Sequence, residues 1–470
     1  MNNFIKTTLF VASVLLASLA ANAYDFEADG IYYSINTGGY SVTVTTGGNG
    51  FRYSGTVNIP ATVTNDGKQY NVTAIGYQAF YKCTELEAVT IGSKVKTIGQ
   101  DAFQYCTALK AVAIPNSTEE MDSYTFSNCS NLKTVTIGTA LKAIPSYAFA
   151  STAVTSITIP GNVETIGDNA FYGCSHLTSL MIKEGVVNIN SGAFSGCSTL
   201  PSVVIPNTVK TVGYQAFYKC AELEELTLGS KVKTIGQEAF QYCTALKAVA
   251  IPNSTEEMGS YTFSNCSNLK TLTIGTALKA IPSYAFASTA VTSITIPGNV
   301  ETIGDNAFYG CSHLTSLMIK EGVVNINSGA FSGCSTLPSV VIPNTVKTVG
   351  YQAFYKCAEL EELILGSNVK TIGSEAFDYC NDLKTITSCN EEAPVMGSVY
   401  CFSVYGTAKL YIPIGASASY AATNYWSKFT DITETNIVNP TKPKVGDVTN
   451  DGEVNIADVN FIIDIILNGE

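Results

Sequence analysis

Two histidines in 470 residues leave little room for imidazole chemistry. His176 and His313 stand 137 residues apart, and each follows a cysteine by two residues, as in Cys174-Ser175-His176. In the coil inferred below that separation is six turns, or about 29 Å at a rise of about 4.8 Å per turn, too far to share a metal. A Cys174–His176 nucleophile–base pair stands against the plainer reading of a surface residue in a Cys-Ser-His-Leu turn. Charge is also scarce: Asp, Glu, Lys and Arg make up 14% of the chain, the net charge is −12, and no Lys/Arg cluster occurs. Proteins that bind duplexes or anionic membrane surfaces neutralise phosphates with such clusters, so neither is an expected partner. No serine sits in a G-x-S-x-G elbow and no glycine loop is spaced for phosphate. The pairs Glu119-Glu120 and Glu256-Glu257 are loop neighbours and read as a solvated face, not an acid–base dyad. The chain is expected not to be an enzyme.

A long apolar run is missing too, except at the start. Residues 1–23 combine Lys6, an apolar stretch from Thr8 to Ala20 and Ala21-Asn22-Ala23. This is the pattern of a secretory signal peptide, with the mature chain expected to begin at Tyr24. Beyond it no run of about 18 apolar residues follows, so no membrane insertion is expected.

What is abundant is repetition. GYQAFYKC occurs at 76–83, 213–220 and 350–357. From Phe80 to Phe377 a phenylalanine recurs fourteen times in steps of 23 residues, with 22 at two places. The consensus is L-x-x-V-x-I-P-x-x-V-x-x-I-G-x-x-A-F-x-x-C-x-x. The L-x-x-V-x-I part alternates inward and outward as a short strand does. A second apolar pair, such as Val209 and Val212, turns back to the interior, a glycine such as Gly213 is expected to allow a tight turn, and Ala-Phe points inward. One unit cannot bury this face, but stacked units can. A longer period lies above it: 76–212 and 213–349 differ at seven positions, and a third copy starts at Gly350. The octapeptide is therefore a brick in a duplicated block.

The pattern IP-x-x-V-x-x-IG-x-x-AF-x-x-C-x-x-L, running over about 70–388, resembles the BspA-type leucine-rich repeats of bacterial surface proteins. GIYYSI at 30–35 and YSGTVNIPATV at 53–63 resemble the family's N-terminal segment, and LYIPIGASASYAATNYWSKFTDITE at 410–434 its C-terminal cap. The resemblance implies a curved solenoid with one parallel sheet, in a secreted or surface-exposed protein, some relatives binding host proteins.

Fourteen cysteines in an exported chain invite a disulfide reading. Twelve of them, from Cys83 to Cys380, stand three residues after the repeat's phenylalanine, where Thr152 and Thr289 substitute. A place that takes Cys or Thr is a buried turn position bonding a backbone group. Stacked thiols about 4.8 Å apart are also too distant for Cβ atoms that a disulfide holds at about 3.8 Å. Cys389 and Cys401 fall outside the register and are left either as a disulfide or as free thiols.

On the strand, positions two, three and five of each unit should face out: Lys110, Ala111 and Ala113; Thr155, Ser156 and Thr158; Thr178, Ser179 and Met181; Glu224, Glu225 and Thr227. This face is small and hydroxylated, without the aromatic column of a strong binding surface. Tyrosines gather instead at the phenylalanine turn, including Tyr77, Tyr81, Tyr105, Tyr124, Tyr147 and Tyr172, either to pack between turns or to form a recognition edge. Whatever the block presents, it presents twice, which suits a multivalent target.

The tail differs from the rest. DVTNDGEVNIAD, 447–458, fits a twelve-residue calcium loop with Asp447, Thr449, Asp451, Glu453 (through its carbonyl), Asn455 and Asp458 as oxygen ligands and Gly452 at the sharp turn. An apolar-sided helix is expected over 457–467. The segment resembles half of a dockerin, a calcium-dependent module that binds a cohesin, although a dockerin normally carries two loops.

The expected organisation is a signal peptide (1–23), a β-rich N-terminal cap (24–70), a fourteen-unit leucine-rich-repeat solenoid (71–388), a C-terminal cap (389–434), a linker (435–446) and a calcium loop with helix (447–467). The expected function is non-enzymatic binding of a protein or glycan at the bacterial surface, in adhesion to host protein, matrix or another cell. The rival is a structural scaffold joined to an extracellular assembly through the dockerin-like tail.

Overall fold

The computed structural model describes residues 24–48 and 50–437. The signal-type segment, the tail loop Asp447–Asp458 and its helix lie outside the described residues. The chain divides into two compact units, Met1–Gly185 and Val186–Glu470.

The first unit opens with strands Phe26–Ala28, Ile31–Ile35 and Ser41–Thr45, paired antiparallel. Asp29-Gly30 closes the first hairpin, and Asp66-Gly67 closes another between Thr62–Asn65 and Lys68–Ile75. All four turn residues have positive φ, from 49° to 76°, as a two-residue type I′ turn requires. Lys68–Ile75 then pairs parallel with both Ser41–Thr45 and Thr97–Ile98, which starts the coil.

Each coil turn contributes twice to parallel ladders. In the first unit one ladder holds Ala111–Ala113, Thr134–Thr136, Ser156–Ile159 and Ser179–Ile182, and Gly55–Asn58 pairs with Leu86–Thr90. The other ladder holds dyads such as Thr97–Ile98 and Glu120–Met121. In the second unit the long ladder includes Ser339–Ile342, Glu362–Leu365, Thr385–Ser388, Lys409–Pro413 and Asp431–Thr435. Its dyads run from Asn188–Ile189 to Val395–Met396. The single sheet implied by the resemblance is thus joined by a second ladder. The reason is local: the dyad Thr211–Val212 buries its valine while its backbone pairs with Thr234–Ile235 one turn on. The third side is tied as well, since the Phe217 N–H donates to the Ala239 carbonyl at 2.8 Å.

The phenylalanines fill the interior as stacked columns. Phe80 and Phe103 lie 4.7 Å apart with planes 8° from parallel, and Phe217 and Phe240 5.3 Å apart at 3°. All these rings are fully buried. Such pairs add about 0.5–1.5 kcal/mol beyond area burial. In the first unit Tyr53 stands 4.4 Å from Phe80 and begins the column. In the second, Phe402 stacks on Phe377 at 5.2 Å and 6°, and Trp426 and Phe429 close over it. Trp426 Nε1 donates to the Pro394 carbonyl at 2.7 Å, so even the cap indole is satisfied. The coil therefore has about sixteen turns of about 23 residues, beyond the fourteen spaced phenylalanines.

The glycine that follows many of the dyads serves a different need from the one expected. Gly213 is absent from the residues with positive φ, but a Cβ there would lie 2.7 Å from the Asn190 carbonyl carbon. It lets adjacent turns approach. The left-handed positions fall instead on side chains such as Gln215 and Lys219, with φ of 52° and 57°.

Candidate functional site

The residues that most resembled catalytic machinery are absorbed by the coil. Cys174 is fully buried, its thiol donating to the Phe149 carbonyl at 3.2 Å and lying 3.3 Å from Thr152 Oγ1. His176 is exposed and its Nδ1 meets Ser175 Oγ at 3.4 Å, so no Cys–His pair forms. The block copy repeats this at Cys311 and His313. Other thiols reach back one turn in the same way: Cys106 to Phe80, Cys243 to Phe217 and Cys266 to Phe240, at 3.1, 3.3 and 3.2 Å. Thr152 and Thr289 hydroxyls donate to the phenylalanine carbonyl of their own turn at 2.8 and 2.9 Å. Burial drives the thiols away from ionisation: Cys174 and Cys311 are pushed up to about 11, and Cys83, Cys220 and Cys266 to about 12. A nucleophilic cysteine needs the opposite shift.

Cys389 and Cys401 are not joined; both are free thiols. Cys389 continues the strand ladder, its N–H bonded to the Leu365 carbonyl at 2.8 Å. Cys401 belongs to the phenylalanine turn, its thiol donating to the Gly373 carbonyl at 3.2 Å and its carbonyl accepting from Phe377 N–H. The two occupy different sides of one turn, which corrects the disulfide reading. Among the described residues no group of three or more His, Cys, Asp or Glu side chains is placed to hold a metal. Glu119 and Glu256 form exposed ion pairs with Lys96 and Lys233 at 3.0 and 2.9 Å.

The outward strand positions are where the sequence placed them: Lys110, Ala111, Ala113, Glu224, Glu225 and Thr227 are all exposed. Ion pairs cross one register step, with Lys110 on Glu87 at 2.8 Å, Lys247 on Glu224, and Lys384 on Glu361 at 2.6 Å. The Lys110 ammonium holds the Glu87 carboxyl below the usual carboxylate range.

Toward the end of the second unit this face changes character. Val341, Ile364, Thr387, Tyr411 and Thr433 are register partners in one outward column. Met318, in the same place one turn earlier, is 51% exposed. Lys409 Nζ lies 5.1 Å over the Tyr411 ring. In the preceding copy the position of Ile364 is Thr227. The sequence held this signal as LILG at 363–366 against LTLG at 226–229, but reading only the earlier units left an aromatic-free face.

The tyrosine edge divides into two kinds. Tyr124 and Tyr147 stack at 4.6 Å and 9°, as do Tyr261 and Tyr284 at 4.6 Å and 8°; these pack between turns. Tyr77, Tyr105, Tyr214, Tyr242, Tyr351 and Tyr379 are exposed.

With this geometry in hand, known proteins can be compared. The family model for a BspA type leucine rich repeat region (6 copies) matches residues 64–178, 164–291 and 279–404. The chain belongs to the BspA-type leucine-rich repeat family. Members are of bacterial surface type and generally protein-binding, and such solenoids are typically non-enzymatic. A leucine-rich repeat protein from Bacteroides ovatus is similar at 29% identity and a TM-score of 0.66, over 83% of this chain and 100% of that one. A leucine rich cell surface protein from Faecalibacterium prausnitzii shares 26% identity over 77% of this chain and 94% of that chain, with a TM-score of 0.40. The pneumococcal vaccine antigen PcpA shares 20% identity over 88% of this chain and 99% of that one, with a TM-score of 0.45. Among curated proteins none matches the chain. Among the described residues no helix is long and apolar enough to cross a membrane.

Proposed function

We propose that this BspA-type protein is a secreted, non-enzymatic binding protein of the bacterial surface that adheres to host protein, matrix or another cell. The observation that carries the reading is the outward column of Met318, Val341, Ile364, Thr387 and Tyr411, half-buried beyond Met318 and rimmed by Glu361, Lys384 and Lys409. Apolar and aromatic side chains inside a charged rim make the centre of a protein-binding patch. The ladder beneath holds them rigid, so little ordering entropy is lost on contact. The test is a binding screen of residues 24–437 against extracellular host proteins. A ligand captured by the wild type should lose at least about tenfold in affinity on Ile364→Glu or Tyr411→Ala. Unchanged binding in both variants sinks the assignment to this face.

The second reading is a scaffold component, and the tail motivates it. The oxygen donors of Asp447, Thr449, Asp451, Glu453, Asn455 and Asp458 suit a hard cation, so the loop is proposed to take calcium and then to engage a cohesin-like partner. Calorimetry of the full chain with calcium, against Asp447→Ala, tests the metal. A pull-down from the source cell tests the partner. A tail-dependent partner from the same cell favours the scaffold, and a solenoid-dependent host ligand favours adhesion.

A further inference from the structure

The three octapeptides build one cluster three times, and neither their stacking role nor the strand face uses it. In the first, Lys82 Nζ lies 5.0 Å over the Tyr81 ring and 5.8 Å over Tyr105 of the next turn. In the second, Lys219 lies 5.1 and 5.9 Å over Tyr218 and Tyr242. In the third, Lys356 lies 5.1 and 5.8 Å over Tyr355 and Tyr379. The two rings meet edge-on each time, at 6.0, 5.7 and 5.4 Å. Among the described residues none of these lysines forms an ion pair. Beside them Gln78, Gln215 and Gln352 donate to Asp101, Glu238 and Glu375 at 3.2, 2.5 and 2.7 Å. Tyr77, Tyr214 and Tyr351 stand five residues before the lysine of each octapeptide and are 63%, 46% and 47% exposed.

Two further observations bear on this cluster. Lys82, Lys219 and Lys356 occupy a left-handed backbone position, φ 57°, 57° and 58°. Other turns place glycine there, as at Gly173, Gly310 and Gly333, or another side chain at the same φ, as at Tyr105, Asn128, Ser151, Tyr242 and Tyr379. The left-handed backbone belongs to every phenylalanine turn from Phe80 to Phe377, and what distinguishes these three is the lysine it carries over two tyrosine rings. Second, 213–251 and 350–388 differ at ten positions, yet Tyr351, Gln352, Tyr355, Lys356, Glu375 and Tyr379 all match their counterparts.

We infer that each cluster is a binding site for a sugar residue carrying a single carboxylate, on a glycan of another surface. The unpaired ammonium takes the carboxylate. Exposed tyrosine rings take the apolar face of the sugar, and the amide–carboxylate pair takes its hydroxyls. One cation per cluster suits one carboxylate, whereas the net charge of −12 disfavours densely sulfated polymers. Within the second unit Lys219 and Lys356 are six turns apart, about 29 Å. Weak single sites at that spacing gain through avidity on a multivalent glycan surface.

The experiment measures binding of the full-length mature chain to beads bearing sialyllactose, to hyaluronan, and to neutral lactose beads. Retention is expected on one or both acidic probes and not on lactose; which acidic probe is retained separates terminal sialic acid from a uronate polymer. The variant Lys82→Gly, Lys219→Gly and Lys356→Gly keeps a residue the coil already uses at that position, and is expected to lose at least tenfold in retention with an unchanged melting temperature. Lys→Arg at the three sites should retain binding. Ile364→Glu should leave glycan binding intact, so failure here is distinguishable from failure of the protein-binding face. Equal retention on lactose, no retention on either acidic probe, or undiminished binding by the glycine variant overturns the inference.

Discussion

The interior of the coil and its turn edge are made from the same octapeptide and obey different rules. Inside, Phe217 and Cys220 meet copies of themselves one turn away, and the environment of one turn is the environment of the next. Outside, Tyr218 and Lys219 from the same eight residues meet whatever the next turn supplies, which is Tyr242 here and nothing comparable at Gly196 or Gly333. Recurrence inside therefore reports stacking, while the exposed cluster that recurs outside is the place to look for a use. Chemistry-bearing side chains in a solenoid divide along this line and not by residue type.

The largest expected effect tests the interior. Five buried thiols, Cys83, Cys174, Cys220, Cys266 and Cys311, are raised from 9.0 to about 11 or about 12. The unfolded chain loses these protons above about pH 9 while the folded chain keeps them. Stability is thus fully present below pH 9 and falls as pH climbs toward 11–12, by about 1.4 kcal/mol per thiol per pH unit. Denaturant melts from pH 7 to 11 should show this fall, shallower in a Cys220→Thr, Cys266→Thr variant; identical slopes would contradict the burial of the thiols. Next, Phe240→Ala removes a ring stacked on both sides at 5.3 and 5.1 Å and should destabilise by about 3–5 kcal/mol in urea unfolding. A loss under about 1 kcal/mol would mean the column does not close-pack. Cys243→Val deletes the thiol donation to Phe217 and should remove about 1 kcal/mol, whereas Cys243→Thr, matching Thr152 and Thr289, should remove less. The smallest effect lies outside: Lys233→Ala breaks an exposed pair with Glu256 and should shift stability by less than about 0.5 kcal/mol, vanishing in high salt.

The sequence was most legible where spacing alone decides structure. Fixed 23-residue steps placed Phe, Cys and the outward strand residues, because parallel pairing at constant register leaves one place for each. It failed where the step changes. Phe402 follows Phe377 by 25 residues and Tyr53 precedes Phe80 by 27, so both ends of the stack fell outside the count. The same slip made Cys389 and Cys401 look like an isolated pair. Tyrosine was ambiguous for another reason: Tyr124 packs flat on Tyr147, whereas Tyr105 stands edge-on to Tyr81 with a lysine above it. Turn position is shared by both kinds, and only the neighbour on the next turn separates them. The outward column at Ile364 and Tyr411 was readable in principle, but register across the irregular last turns is fixed by backbone pairing, which composition does not reveal.

The most direct single measurement compares Cys174→Thr with Ile364→Glu in binding to whichever host protein the wild type captures. Stacked thiols that only hold the coil together predict full binding by Cys174→Thr at an unchanged melting temperature, and a loss of at least about tenfold by Ile364→Glu. A folded Cys174→Thr that no longer binds, beside an Ile364→Glu that does, would place the function inside the coil and contradict the division between interior and surface.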